Sequence, residues 1–290
     1  LGLVNVAVGQ GALSANQTGS GNVAVGTYAL YTNKIGELYV DDYDPYNDYI
    51  TSNTAVGYGA LGSNTTGQQN VAVGGWALVN NTFGGGNTAI GNQALYLNVT
   101  GTGNVAIGPN ALYENTASGN IAIGSNTLVW NTEGTQNVAI GTSSLINNTT
   151  GSYNIAIGQD SLTFNTVGTS NFAIGLGALY YNTTGSSNVH IGMYSGWSNT
   201  SGIRNVALGH NTLGYNYGGS DNVAIGNESM YGASELAYVT TGNTAVGASA
   251  LYNIQTGSHN AVIGNGSGNL IESGSYNSIL GSFNGNQDGL

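Results

Sequence analysis

Residues 137–153 read N-V-A-I-G-T-S-S-L-I-N-N-T-T-G-S-Y, from Asn137 to Tyr153, and Asn154 then begins the same pattern again. The opening string, Asn-x-Ala-(Val/Ile/Leu)-Gly with occasional substitutions, recurs from Asn5 through Asn22, Asn53, Asn70, Asn87, Asn104, Asn120, Asn137, Asn154, Asn171, Asn188, Asn205, Asn222, Asn243 and Asn260 to Asn277. The dominant spacing is 17 residues; it shrinks to 16 after Asn104 and grows by insertions of 14 residues after Asn22 and 4 after Asn222. Self-similarity at such a period marks an array of small stacked units.

Each part of the unit has a physical reading. In Val138-Ala139-Ile140 a period of two makes a short strand, with the branched side chains expected to turn inward and the Ala outward. Gly141 ends it. A second apolar segment follows, its Leu recurring at Leu13, Leu30, Leu61, Leu78, Leu95, Leu112, Leu128, Leu145, Leu162, Leu179, Leu213 and Leu251, with Met230 as a substitute. The turn Asn-Thr-Thr-Gly closes the unit, where Gly tolerates positive φ and Asn bonds its own backbone. Two turns per unit predict two short strands per coil. Such a unit has one apolar face and nothing to cover it, so stacking is obligatory. The fold predicted is an all-β parallel β-solenoid of about sixteen coils, roughly 75 Å long at ~4.8 Å per coil, with Asn columns hydrogen-bonded from coil to coil. Helix is a weak competitor, because the 3.6-residue period is absent and each helical glycine would cost about 1 kcal/mol. The whole of 1–290 reads as one repeat domain, with an acidic Tyr-rich insertion at 37–50 and a short insertion region at 232–242.

Composition narrows the function classes. Charged residues make up only 5% of the chain and glycine supplies 49 positions, so the polar surface must be built from Asn, Thr, Ser, Gln and Tyr. Regular apolar clusters amounting to 40% of residues argue against disorder. A net charge of −11, with Lys34 and Arg204 as the two basic residues, argues against nucleic acid as a partner. No apolar run reaches membrane-spanning length, and no signal-peptide pattern is present. There is no cysteine, which removes disulfides, thiolate metal sites and thiol nucleophiles.

The string G-N-V-A-I-G-x-x-A-L, as at Gly103 to Leu112, resembles the head repeats of YadA-like trimeric autotransporter adhesins and the shaft repeats of phage tail fibres. The resemblance covers essentially the whole chain, although the Asn-Thr-Thr-Gly turn is longer here than in the adhesin head. It implies a left-handed parallel β-roll, a homotrimer with small residues between subunits, and an extracellular location on a virion or cell surface. The Ala column would then sit at the subunit contact. The expected function is a non-enzymatic structural or adhesive fibre segment without cofactor. A self-assembling extracellular filament or sheath subunit, glycosylated at turn Asn residues, is the alternative. The final coils carry Gly268 and Gly285 where Leu is expected, and neither terminus reads as a full cap, so the segment is expected to belong to a longer polypeptide or filament.

Candidate sites are few. Asp41, Asp42, Asp44 and Asp48 could hold a hard cation, but their spacing does not fit an EF-hand and a solvated acidic loop is the simpler reading. Tyr39, Tyr43, Tyr46 and Tyr49 in the same insertion make a candidate contact surface. Aromatics just after the Leu column, including Tyr96, Tyr113, Trp130 and Tyr180, either bind cell-surface carbohydrate or simply brace the sheet and a subunit contact. Sequons at Asn16, Asn64, Asn98, Asn148, Asn182 and Asn199 are candidate glycan acceptors, alongside Asn80, Asn147, Asn227 and Asn265; most follow from the turn chemistry of the repeat. His190, His210 and His259 have no nucleophile or carboxylate at a motif spacing, and Glu114, Glu133, Asp160 and Glu228 lie singly in scattered coils. No catalytic set emerges. Thr columns of the kind that bind ice are confined to a turn and are often broken.

Overall fold

The computed structural model describes residues 4–17, 19–33, 52–232 and 238–285. The acidic and tyrosine candidates of the 37–50 insertion, Asp41, Asp42, Asp44, Asp48, Tyr39, Tyr43, Tyr46 and Tyr49, lie outside the described residues, as does part of 232–242. Among the described residues the protein is an all-β solenoid of sixteen parallel three-residue strands, one per repeat. Two compact units divide it, Leu1–Asn137 and Val138–Leu290.

The first unit stacks β1 (Val6–Val8), β2 (Val23–Val25), β3 (Thr54–Val56), β4 (Val71–Val73), β5 (Thr88–Ile90), β6 (Val105–Ile107) and β7 (Ile121–Ile123). Every pair is parallel and in register, so that Ala meets Ala and branched residue meets branched residue. The second unit is also parallel and in register, with β8 (Val138–Ile140), β9 (Ile155–Ile157), β10 (Phe172–Ile174), β11 (Val189–Ile191), β12 (Val206–Leu208), β13 (Val223–Ile225), β14 (Thr244–Val246), β15 (Ala261–Ile263) and β16 (Ser278–Leu280), although His190, Val262 and Ile279 replace Ala in its central column. The 16-residue coil keeps register because Ala117 takes over the turn carbonyl that Gly supplies in most coils, accepting from Asn104 and Asn115.

Three sequence expectations are corrected. The strand faces are reversed: Ala106, Ala122, Ala156 and Ala224 are fully buried, while flanking residues are partly exposed, Val105 and Ile121 less so than Ile107 and Ile123, which reach 36%. The coil is too thin to take branched side chains from the strand, because the Leu column already fills it from the opposite side. The Ala column is therefore interior and cannot be a subunit contact.

Second, the Leu segment is not a strand. Leu61, Leu78, Leu95 and Leu162 have φ between 50° and 53°, the left-handed region. Their amides still bond the next coil, as in Leu78 N to Ala94 O at 2.9 Å and Leu162 N to Ala178 O at 3.0 Å. A left-handed Leu costs about 1–2 kcal/mol, and burying its side chain returns about 1.5–3 kcal/mol, so burial decides.

Third, glycine in the Asn-Thr-Thr-Gly turn is selected by space. A Cβ on Gly67 would strike the Asn64 side chain and the Gly84 carbonyl, whereas Gly158, with φ of +130°, is barred both by its backbone and by the Gly175 carbonyl of the next coil.

Candidate functional site

Two Asn columns form the interior polar spine. In the strand-start column, Asn87 Oδ1 accepts from the Asn104 backbone amide at 3.0 Å, and Asn87 Nδ2 donates to Gly101 O at 2.9 Å. In the turn column, Asn182 Nδ2 donates to Asn165 Oδ1 at 2.8 Å and to Gly185 O at 3.0 Å. Both columns are buried. Neutral amides suit this task because each carries a donor and an acceptor pointing to opposite neighbours.

The same geometry answers the sequon expectation. Asn64, Asn98, Asn182 and Asn199 each spend their side-chain nitrogen on the preceding coil's Asn and on the turn carbonyl. Asn148 is buried and donates to Gly151 O, and half-buried Asn16 donates to Gly19 O. A glycan on any of these nitrogens would break the spine, so the folded coil does not offer them as acceptors. Asn80 and Asn147 are half-buried and donate to the carbonyls of Tyr96 and Thr163, while Asn227 and Asn265 are exposed.

His190 interrupts the Ala column, in register with Ala173 and Ala207. Its ring is buried, its Nδ1 lies 3.1 Å from Ser195 Oγ, and its Nε2 has no partner. Burial pushes its pKa down to about 3. The ring fits because Gly196 occupies the Leu position: a Cβ there would strike the imidazole and approach Leu179 Cδ2 to 3.1 Å. Val262 and Gly268, and then Ile279 and Gly285, repeat the exchange, a larger residue in the Ala column wherever the Leu column falls to Gly. Sequence reading saw the missing leucines without pairing them to the enlarged strand residues.

Two surfaces remain for contact. One is the outer sheet face, two columns of Val, Ile, Thr, Phe and Leu, ending in Ala261 and Ser278, that flank the central column, with no Asp, Glu, Lys or Arg on any strand. At a rise of ~3.3 Å and a strand spacing of ~4.8 Å, each strand offers roughly 50 Å² of this face. The other is the aromatic pair of columns after Leu. Tyr96 stacks on Tyr113 with centroids 4.9 Å apart and planes within 2°. In the second unit Tyr180 stacks on Trp197 at 4.2 Å and 8°, and Phe164 on Tyr181 at 5.4 Å and 9°. Trp130 is exposed. Burial, followed by the neighbouring Tyr181, raises the Tyr180 phenol's pKa.

Charged groups do not gather into a site among the described residues. Arg204 forms a two-point pair with Asp221 one coil on, Nε to Oδ1 at 2.6 Å and Nη2 to Oδ2 at 2.8 Å, in exposed positions. His210 Nδ1 lies 3.2 Å from Asn227 Oδ1, and His259 stacks on Tyr276. Glu114, Glu133, Asp160 and Glu228 are not brought together; no cluster of three or more His, Asp or Glu exists among the described residues. No helix is long and apolar enough to cross a membrane, again among the described residues.

Neither a protein-family profile nor a curated protein sequence matches this chain.

Proposed function

We propose that this chain is a non-enzymatic, extracellular fibre segment that self-associates, as a homotrimer, through the outer Val/Ile face of its sheet. The outward direction of the branched residues carries the reading. Parallel sheets are ordinarily covered on both faces, and here one face rests on the Ala–Leu interior while the other presents exposed Val56, Ile90, Ile107, Ile191 and Ile225. At roughly 50 Å² per strand, the seven strands of the first unit offer roughly 350 Å² and the nine of the second roughly 450 Å² to a partner. Charge is absent from that face in a chain of net charge −11, so copies can approach there without like-charge contact. The resemblance to adhesin head and tail-fibre repeats supports the same role and suggests three copies, with branched residues at the contact in place of the small ones first expected.

The test places charge on the face at two outward positions, Ile140→Lys with Ile157→Lys. Wild type is expected to sediment as a multimer, and the variant as a folded monomer with unchanged β signal. A variant that still assembles would remove this face from the interface. Open-ended growth of the wild-type particle would favour the filament over the trimer.

A further inference from the structure

In the second unit the aromatic column is interrupted once within a continuous run. Tyr180, Trp197 and Tyr231 occupy the position after Leu in three coils, but the intervening coil has Gly214. With that ring missing, Tyr231 tips across bare backbone, so that a Cβ on Gly214 would lie 2.6 Å from its Cδ2. A cleft of about 290 Å³ remains, lined by Tyr194, Trp197, Asn211, Gly214, Tyr215 and Tyr231. That is at the lower edge of the range for small-molecule sites, roughly 300–1,000 Å³.

We infer that this cleft binds a neutral oligosaccharide, with one sugar ring held in the gap at Gly214. Four observations select this occupant. Trp197 is fixed from behind by its stack on Tyr180 and at its edge by Tyr194 at 5.0 Å, which leaves its other side as a rigid apolar wall for a sugar's C–H face. The Asn211 carboxamide forms no hydrogen bond within the described residues, so it is available to hydroxyl groups that both donate and accept. Burial, then contact with Tyr215, pushes the Tyr231 phenol up to about 12, so it stays a neutral hydroxyl at any ordinary pH. No charged side chain lines the cleft, and Glu228 acts on Tyr231 from nearby, which disfavours an anionic sugar.

A second depression of about 600 Å³ adjoins the first and shares Trp197 and Tyr215 with it, adding Phe164, Tyr181 and the hydroxyls of Thr183 and Thr200. Two subsites sharing a Trp match a chain of sugars better than a single one. The inference stands whether or not the chain assembles into a fibre.

The experiment titrates the full chain with cellotriose, chitotriose and maltotriose, reading saturation-transfer NMR and tryptophan fluorescence. At least one is expected to bind with a dissociation constant of about 1 mM or tighter, as suits a shallow site. Trp197→Ala removes the wall. Gly214→Tyr restores the ring that neighbouring coils carry, at a position whose backbone is not left-handed, and fills the gap. Both variants are expected to stay folded by circular dichroism, at a melting temperature lowered by lost ring contacts at Trp197 or a displaced Tyr231, and to bind about tenfold more weakly or less. Absence of binding to all three probes, or binding retained by either folded variant, would overturn the inference.

Discussion

Replacing His190 by Ala and Gly196 by Leu would restore the consensus interior, and the two substitutions should be strongly coupled. Gly196→Leu alone drives a branched side chain into the imidazole, an overpacking cost of about 3 kcal/mol or more. The backbone does not object, because Gly196 has φ of +63°, close to the Leu column's own range. His190→Ala alone leaves an unfilled space, at about 2–4 kcal/mol, lessened by about 1–2 kcal/mol because the unpartnered Nε2 is no longer buried. The double variant loses both faults and buries a Leu worth about 1.5–3 kcal/mol, less about 1 kcal/mol for left-handed backbone, so it should equal or exceed wild type. The cycle therefore predicts a favourable coupling of about 5 kcal/mol between the two sites. Urea unfolding of the four proteins, followed by circular dichroism at fixed protein concentration, measures it. The volume exchange would be refuted if Gly196→Leu proved as damaging in the His190→Ala background as in the wild type.

The same histidine sets a pH dependence. Its pKa falls from an ordinary 6.5 to about 3 in the fold, so the unfolded chain binds the extra proton between these values. Stability is thus unaffected above pH 6.5, declines as pH falls, and has lost about 5 kcal/mol near pH 3 at most; subtracting the pH profile of His190→Ala from that of wild type should isolate this loss. Asn165→Ala removes donors to Asn148 and Gly168 and deprives Asn182 of its acceptor, which should cost about 2–4 kcal/mol in urea melts. Asn165→Asp should cost more at pH 7, because a buried carboxylate faces two oxygen acceptors, and the deficit should shrink on acidification. Gly158→Ala forces a Cβ to 2.5 Å from the Gly175 carbonyl oxygen and should lower stability by more than about 3 kcal/mol in the same urea melts.

The stacking and the Asn ladders were legible because a fixed period admits few other solutions. The direction of the strand was not. Alternation separates Val105 and Ile107 from Ala106, but hydrophobicity alone then assigns the larger residues to the interior. What decides is room, and room is set by Leu112 entering from another segment of the coil. The second segment escaped because left-handed leucines contradict local preference and are held only by tertiary burial and inter-coil bonds. The pairs His190 with Gly196 and Val262 with Gly268 stand in the sequence six residues apart and signal the true interior. The aromatic columns could be read from sequence, but the cleft could not, since it depends on one absent ring at Gly214.

The most direct test of the central claim is the mass of the native particle by light scattering, taken over a dilution series with intact-chain mass on the same sample. The account predicts a particle of about three times 29.3 kDa that persists on dilution. A folded 29.3 kDa monomer at all concentrations would contradict it, leaving the outer Val/Ile face without a partner of its own kind.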